Sequence, residues 1–286
     1  MRGVLETIDK VAAHDVSVLV LGESGTGKDF VTEAIHAWSS RRGEALVRID
    51  CAAIPSELFE SELFGYERGA FTDAQARKSG RLELAGRGTV YFDEIAALTP
   101  ALQAKLLRAV QDRSFTRLGG SAPVTMEARF ISSSSVDLEH SSEFRRDLYY
   151  RINVVTLRLP PLRERVEDIP ALAKALLGGR KKGFEPATMS ILTAHSWPGN
   201  IRELRNVIDR AVLIETGESL SPRSLPPLDD DVVASASRQQ WTLEELEANY
   251  IRRVLQDTRS NYSNAARILG INRKTLLEKR RKLGIE

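Results

Sequence analysis

The chain reads as an α/β protein: a parallel-sheet core that binds phosphate, a smaller helical region after it, and an all-α helix-turn-helix module at the C-terminus. Three observations carry this reading. An apolar, β-branched run at residues 16–21 leads into Gly22-Glu23-Ser24-Gly25-Thr26-Gly27-Lys28, and a helix-periodic segment follows at residues 30–38. A second apolar strand, residues 88–92, ends in Asp93-Glu94. The last 45 residues or so form three short helical patterns rich in lysine and arginine.

Bulk properties bound the possibilities. At 286 residues the chain can bury a full α/β core and a smaller domain besides. Hydrophobic residues at 42% and charged residues at 28% are ordinary for a soluble protein, and no apolar run approaches the ~20 residues of a membrane span. The start carries no signal-peptide pattern. The single cysteine, Cys51, rules out an internal disulfide framework and fits a reducing, cytoplasmic setting. The four histidines have no metal-ligand spacing. Net charge is +2, but residues 259–286 hold eight Lys/Arg against two Glu, so the terminal module is built for a polyanion.

Strand, glycine-rich turn and helix in that order form a phosphate-binding loop. Backbone N–H groups of Gly22, Glu23, Ser24, Gly25, Thr26 and Gly27 converge on phosphate oxygens, the helix start adds positive dipole, and Lys28 reaches the terminal phosphates of ATP. Position 29, usually the Ser or Thr that binds Mg²⁺, is Asp29, whose carboxylate can organise a magnesium-bound water. Asp93 is placed to hold Mg²⁺ and Glu94 to polarise the attacking water. Residues 45–50 read as the next strand, and Thr99-Pro100 open a helix as N-cap and first-turn proline, with Leu102, Leu106, Leu107 and Val110 on one face.

Between the two nucleotide motifs lies Gly69-Ala70-Phe71-Thr72-Asp73-Ala74, a lone aromatic amid small residues, which suits a mobile loop with one apolar tip but which, on the residues alone, reads more readily as a core aromatic. Here the chain resembles the AAA+ domain of bacterial enhancer-binding proteins, the ATPases that activate sigma-54 RNA polymerase. Their signature at this place is Gly-Ala-Phe-Thr-Gly-Ala, on a loop that contacts the sigma factor; Asp73 replaces the second glycine, which would allow positive φ, and adds a negative charge. The resemblance implies further roles one residue at a time. Asp50 stands where the family often has an Asn that holds the catalytic glutamate, and an ionised Asp cannot donate to Glu94. Ser134 keeps the hydroxyl of the γ-phosphate sensor, while Ser135 lacks the amide of the family's Asn. Arg145 and Arg151 match the arginine fingers that reach ATP in the neighbouring subunit, implying a hexameric ring, and Arg202 matches the nucleotide-sensing arginine of a helical lid. In Trp197-Pro198-Gly199-Asn200, Pro-Gly makes the turn and Asn200 is expected to cap the following helix.

The implied layout is an AAA+ α/β core at 1–160, a helical lid at 161–220, a linker at 221–240 whose composition shift begins at Gly217, and a Fis-type DNA-binding domain at 241–286. Its first helix carries an apolar stripe of Leu243, Leu246, Tyr250, Ile251, Val254 and Leu255, wide enough for a partner helix and a second copy. Asn272, Arg273, Lys274 and Thr275 open the recognition helix, and Lys279, Arg280, Arg281 and Lys282 are expected to neutralise phosphates. The expected function is an enhancer-bound, sigma-54-dependent activator that uses ATP and Mg²⁺ in an oligomeric ring to open closed promoter complexes. Only about fifteen residues precede the first strand, so the input is expected from a regulatory domain or a protein outside this chain. The rival expectation is an AAA+ DNA-binding repressor or architectural regulator uncoupled from sigma-54, supported by Asp73 and Ser135 and opposed by the intact phosphate loop, Asp93-Glu94 and both fingers.

Overall fold

The computed structural model describes residues 2–178, 180, 183–228, 241–258 and 262–283. The chain divides into two units, one of residues 1–173 with 199–206, the other of residues 174–198 with 207–286.

The first unit is built on five parallel strands in the order β2-β5-β8-β1-β9: β1 Val18–Leu21, β2 Leu46–Asp50, β5 Thr89–Asp93, β8 Arg129–Ser134 and β9 Val155–Arg158. Side-chain alternation sorts each strand between two cores. Val18 and Val20 pack with Tyr91, Ile131 and helices α1 (Arg2–Ala12) and α2 (Lys28–Ala37) through Ile8, Val11, Val31 and Ile35. Leu19, Leu21, Val90, Phe92 and Phe130 face the other way, onto α3 (Ser56–Phe64) and α5 (Pro100–Asp112) through Phe59, Leu63, Leu102 and Leu106. Strands buried on both faces explain the near-continuous apolar runs in the sequence. Thr99 caps α5 as expected, its Oγ1 accepting from Leu102 N at 3.4 Å, with Pro100 in the first turn. Arg129, a charge inside β8, is buried because its guanidinium donates to the carbonyls of Val11, Ala12 and Val16, closing the exposed end of α1.

Short pieces decorate this sheet. The ribbon β3 (Gly65–Tyr66) with β4 (Lys78–Ser79) precedes α4 (Arg81–Leu84), and β6 (Ser114–Thr116) pairs with β7 (Pro123–Thr125). Helix α6 spans Arg146–Ile152. Parallel strands deliver all their C-terminal ends to one edge, where α/β proteins bind ligands, and Leu21, Asp93 and Ser134 end their strands there.

Across the boundary run α7 (Ile169–Leu177) and α9 (Asn200–Ile214). The second unit adds α8 (Pro186–Ala194) and a parallel pair, β10 (Gly183–Phe184) with β11 (Ser219–Leu220). The stretch expected to be linker from Gly217 therefore begins with structure: Ser219 and Leu220 pair with β10, Leu220 is fully buried, and its carbonyl accepts from Thr188 Oγ1 at 2.8 Å. Most of the expected linker, 229–240, lies outside the described residues. The tail forms α10 (Leu243–Asp257), α11 (Tyr262–Ile268) and α12 (Arg273–Lys282).

Candidate active site

The phosphate loop leaves β1 and starts α2, with Gly25 at φ 79° and Gly27 at φ 101°. A side chain at Gly25 would also meet the Gly199 carbonyl at 2.4 Å, so glycine is required there twice over. Residues 162–165 and 199–202 grip this loop. Arg163 makes a two-pronged pair with Glu23 at 2.8 and 2.6 Å, and this hydrogen bonding holds the Glu23 carboxyl below its ordinary range. Arg165 donates to the Thr26 carbonyl at 2.7 Å, Ile201 N to the Gly25 carbonyl at 2.9 Å, and Arg202 to Ser24 Oγ at 2.6 Å. Asn200 departs from expectation. It opens α9 at φ 53° and is fully buried, and its amide does not cap the helix. Nδ2 donates to Ser24 O at 3.0 Å and Glu23 Oε2 at 3.2 Å, while Oδ1 accepts from Leu162 N at 2.8 Å. The helix start is closed instead by Glu203, whose Oε2 accepts from Gly199 N at 2.8 Å. Asn200, Arg163 and Arg165 were missed as contacts to the phosphate loop because they lie far from it in the chain, and only the fold brings them there.

At the mouth of β5 the acidic groups gather. Lys28 Nζ donates to Gly22 O at 2.8 Å and pairs with Glu94 Oε1 at 2.9 Å. Burial pushes the Glu94 carboxyl up, but hydrogen bonds from Lys28 and Ser135 outweigh it, so the group sits below the carboxylate range and is ionised at neutral pH. The Tyr91 hydroxyl lies 2.8 Å from Asp29 Oδ1 and 3.0 Å from Asp93 Oδ1, and burial first, then these carboxylates, raise its pKa. Ser133 Oγ donates to Asp93 Oδ1 at 2.5 Å and accepts from Glu94 N at 3.1 Å. One expectation is corrected here. Ser134 is not turned to this edge: it is buried in β8, with its hydroxyl bonded to Val136 O at 2.7 Å, because strand alternation sends 133 and 135, not 134, toward Asp93 and Glu94. Asp50, paired in register with Asp93, accepts from Ala52 N and Ala53 N at 3.0 Å each, as a carboxylate that cannot donate to Glu94 would. The serine run belongs to β8 through Ser134.

The Phe71 loop projects from the β3–β4 ribbon. Its turn is drawn tight by Gly69 N to Ala74 O (2.8 Å) and Ala74 N to Phe71 O (3.0 Å), with Gly69 at φ 83°. Among the described residues positive φ outside glycine occurs at Glu94, Arg113, Trp197 and Asn200, so Asp73 sits in ordinary backbone and its cost relative to glycine is charge, not strain. Phe71 is 43% exposed and rests edge-on against Tyr66, ring centres 4.8 Å apart. Arg117, from β6's end, binds Glu67 at the loop's base (2.8 Å) and Glu83 (2.9 and 2.7 Å). Of the two expected fingers, Arg145 precedes α6 with its guanidinium on Asp147 (3.1 and 2.7 Å), and Arg151 is exposed in the last turn.

Comparison with known proteins now bears on this arrangement. A family model described as the sigma-54 interaction domain matches residues 1–158, one for the AAA+ ATPase lid domain matches 163–242, and one for bacterial regulatory proteins of the Fis family matches 242–283. The chain belongs to the family of sigma-54-dependent transcriptional regulators. It is 45% identical over 293 residues to the transcriptional regulatory protein ZraR of Klebsiella oxytoca, covering 98% of this chain and 66% of that one. It is 43% identical to the formate hydrogenlyase transcriptional activator FhlA of Escherichia coli, covering all of this chain and 43% of that protein. The chain thus spans about two thirds or less of these relatives. Among solved structures, NtrX from Brucella abortus in complex with ADP superposes with a TM-score of 0.72 at 34% identity, over 99% of this chain and 67% of that one. Hsp104 bound to ATPγS and casein matches at TM-score 0.54 and 18% identity over 69% of this chain and 40% of that one, a likeness of fold alone.

The Fis-type module of this sigma-54 regulator is a three-helix packing of its own. Thr242 and Glu245 cap α10 reciprocally, Thr242 N to Glu245 Oε2 at 2.7 Å and Glu245 N to Thr242 Oγ1 at 3.3 Å. Ile251, Val254 and Leu255 of the stripe bury against Ala265, Ala266 and Leu276, whereas Leu243 and Tyr250 stay exposed. Gly270 at φ 65° makes the turn, and Asn272 Oδ1 caps α12 by accepting from Thr275 N at 2.8 Å. The expected DNA contacts divide accordingly. Arg273 and Lys274 are exposed at the start of α12. Lys279 is paired with Glu247 at 2.6 Å, Lys282 with Glu244 at 3.0 Å, and Arg280 donates to the Tyr262 hydroxyl at 2.8 Å. Three of the four residues expected to neutralise phosphates thus have partners inside the module. Among the described residues no helix is long and apolar enough to cross a membrane.

Proposed function

We propose that this chain is an ATPase that activates transcription by sigma-54 RNA polymerase from a site on enhancer DNA. The observation that carries the proposal is the pairing of Lys28 with Glu94 at 2.9 Å inside a loop gripped through Glu23, Ser24, Gly25 and Thr26. A cation and a carboxylate so placed suit phosphoryl transfer to water: Lys28 and the loop amides draw the phosphates, and Glu94 accepts a proton from the attacking water. Asp29 and Asp93, hard oxygen donors gathered about one phenol, fit Mg²⁺. Bound there, the ion would neutralise charge developing on the phosphates. Arg202, already on Ser24, would report the state of the nucleotide, and Arg145 and Arg151, both exposed, would serve a neighbouring subunit's ATP in a hexameric ring. The exposed Phe71 would touch the sigma factor, and Arg273 and Lys274 would enter the DNA groove.

The test is abortive transcription from a sigma-54 promoter with ATP, alongside ATP turnover. ATP-dependent open complexes are the expected result. Turnover without open complexes rejects activation in favour of an uncoupled DNA-binding regulator.

A further inference from the structure

We propose that Ser135 is the residue that positions Glu94 for proton transfer, a task for which the side chain at position 50 is unfit in this chain. The inference rests on the reading of this site as an ATPase. Glu94 stands at φ 50° and ψ 54°, a left-handed conformation that a glutamate does not adopt unaided, so its surroundings hold it there. Two donors converge on one of its oxygens: Ser135 N at 2.9 Å and Ser135 Oγ at 2.8 Å from Oε2. The other oxygen faces Lys28.

An ionised carboxylate only accepts hydrogen bonds, so whatever orients Glu94 must donate. Asp50 ends the strand beside β5 and is itself an acceptor, engaged by Ala52 N and Ala53 N. Serine at 135 supplies the proton that aspartate at 50 lacks. Its reach follows from its place: Ser133 lies in β8 and Ser135 just past its end, and the two bracket Asp93 and Glu94.

Lys28 explains why a second anchor is needed. Its ammonium has three N–H groups, and three protein acceptors already surround it: Gly22 O at 2.8 Å, Glu94 Oε1 at 2.9 Å and Glu23 O at 3.4 Å. When the β- and γ-phosphates of ATP take the ammonium, Glu94 loses its cation. The carboxylate then keeps only the Ser135 donors, which still point it to one place. Any residue at 135 would supply the amide; the hydroxyl is the contribution of serine.

The test uses the full chain and two readouts, steady-state ATP hydrolysis and equilibrium binding of a fluorescent ATP analogue. Ser135→Ala should lower kcat by about tenfold, as loss of one hydrogen bond to a charged group does, with the binding constant within about twofold of wild type. Ser135→Thr, which keeps the hydroxyl, should recover kcat to within about threefold. The proposal is overturned if Ser135→Ala turns over at the wild-type rate, if the threonine variant falls as far as the alanine one, or if binding and kcat fall together. A wild-type chain that binds the analogue but hydrolyses no ATP overturns the ATPase reading itself, and this proposal with it.

Discussion

Asn200 is the residue whose loss should tell most about how the phosphate loop is held. It is fully buried, takes φ 53°, and ties Leu162 N, Ser24 O and Glu23 Oε2 together at 2.8, 3.0 and 3.2 Å. Asn200→Ala strands the amide of Leu162, itself fully buried, and that costs about 1–3 kcal/mol. Alanine in the left-handed region adds about 1 kcal/mol, since it lacks the local bonding that lets asparagine tolerate it. The variant should therefore lose roughly 2–4 kcal/mol in urea unfolding of the sheet unit and bind a fluorescent ATP analogue at least about tenfold more weakly. Asn200→Gly separates the two costs: it relieves the backbone and keeps the orphaned amide, so it should recover only about 1 kcal/mol. Asn200→Asp keeps an acceptor for Leu162 but sets a second carboxylate against Glu23, so nucleotide binding should weaken, and because the position is buried added salt should restore little of it. Wild-type stability in Asn200→Gly would refute the argument, because it would mean the three hydrogen bonds contribute nothing.

Other expectations follow from the same geometry. Arg273→Ala or Lys274→Ala should each reduce the salt slope of DNA binding by about one, whereas Lys279→Ala, which breaks the pair with Glu247, should change it less; fluorescence anisotropy across a salt series decides. Because the folded pKa of Glu94 lies below its ordinary value of 4.5, the native state holds fewer protons there than the unfolded chain. Its contribution to stability is complete above pH 4.5 and fades as pH falls through the lower folded value, so Glu94→Gln should flatten the acid limb of a stability–pH profile. Tyr91→Phe removes the phenol between Asp29 and Asp93 and should change the Mg²⁺ concentration needed for half-maximal nucleotide binding while leaving binding without Mg²⁺ within about twofold; equal titration midpoints would dismiss that role. Asp73→Gly should raise open-complex yield through lost charge, with stability altered by less than about 1 kcal/mol, since Asp73 holds no strained φ.

The fold was legible because its signals are local. Val18–Leu21 and Thr89–Asp93 announce buried parallel strands by unbroken apolar runs, and Thr99-Pro100 announces α5 by cap chemistry that acts within one turn. The phosphate loop and the acidic pair at Asp93-Glu94 were legible for the same reason. What escaped was whatever depends on strand parity or distance along the chain. The family pattern pointed to Ser134, but a one-residue difference along β8 puts a hydroxyl on the opposite face, and Ser133 and Ser135 make the contacts. Arg163 and Asn200 are 140 and 177 residues from Glu23, and no local rule connects them to it. Partners of charged residues were hidden for a related reason: Lys279 and Arg280 look like free cations in a one-dimensional pattern, and only the fold brings Glu247 of α10 and Tyr262 of α11 against them.

The three departures from the family pattern around the nucleotide share one physical logic. Each replaces a side chain that can donate a hydrogen bond; where the replacement is a carboxylate the donor comes from another residue, and at 135 the serine itself donates. Asp29, in the place of a hydroxyl, is an acceptor beside a second acceptor, Asp93, and the Tyr91 phenol between them supplies the hydrogen. Asp50, in the place of an amide, cannot hold Glu94 and instead braces its own turn at Ala52 and Ala53. Ser135, too short to act as the Asn it replaces, is short enough to bring both its amide and its hydroxyl to the same oxygen of Glu94. Here Asp29, Asp50, Asp93 and Glu94 each accept from a donor within 3.1 Å.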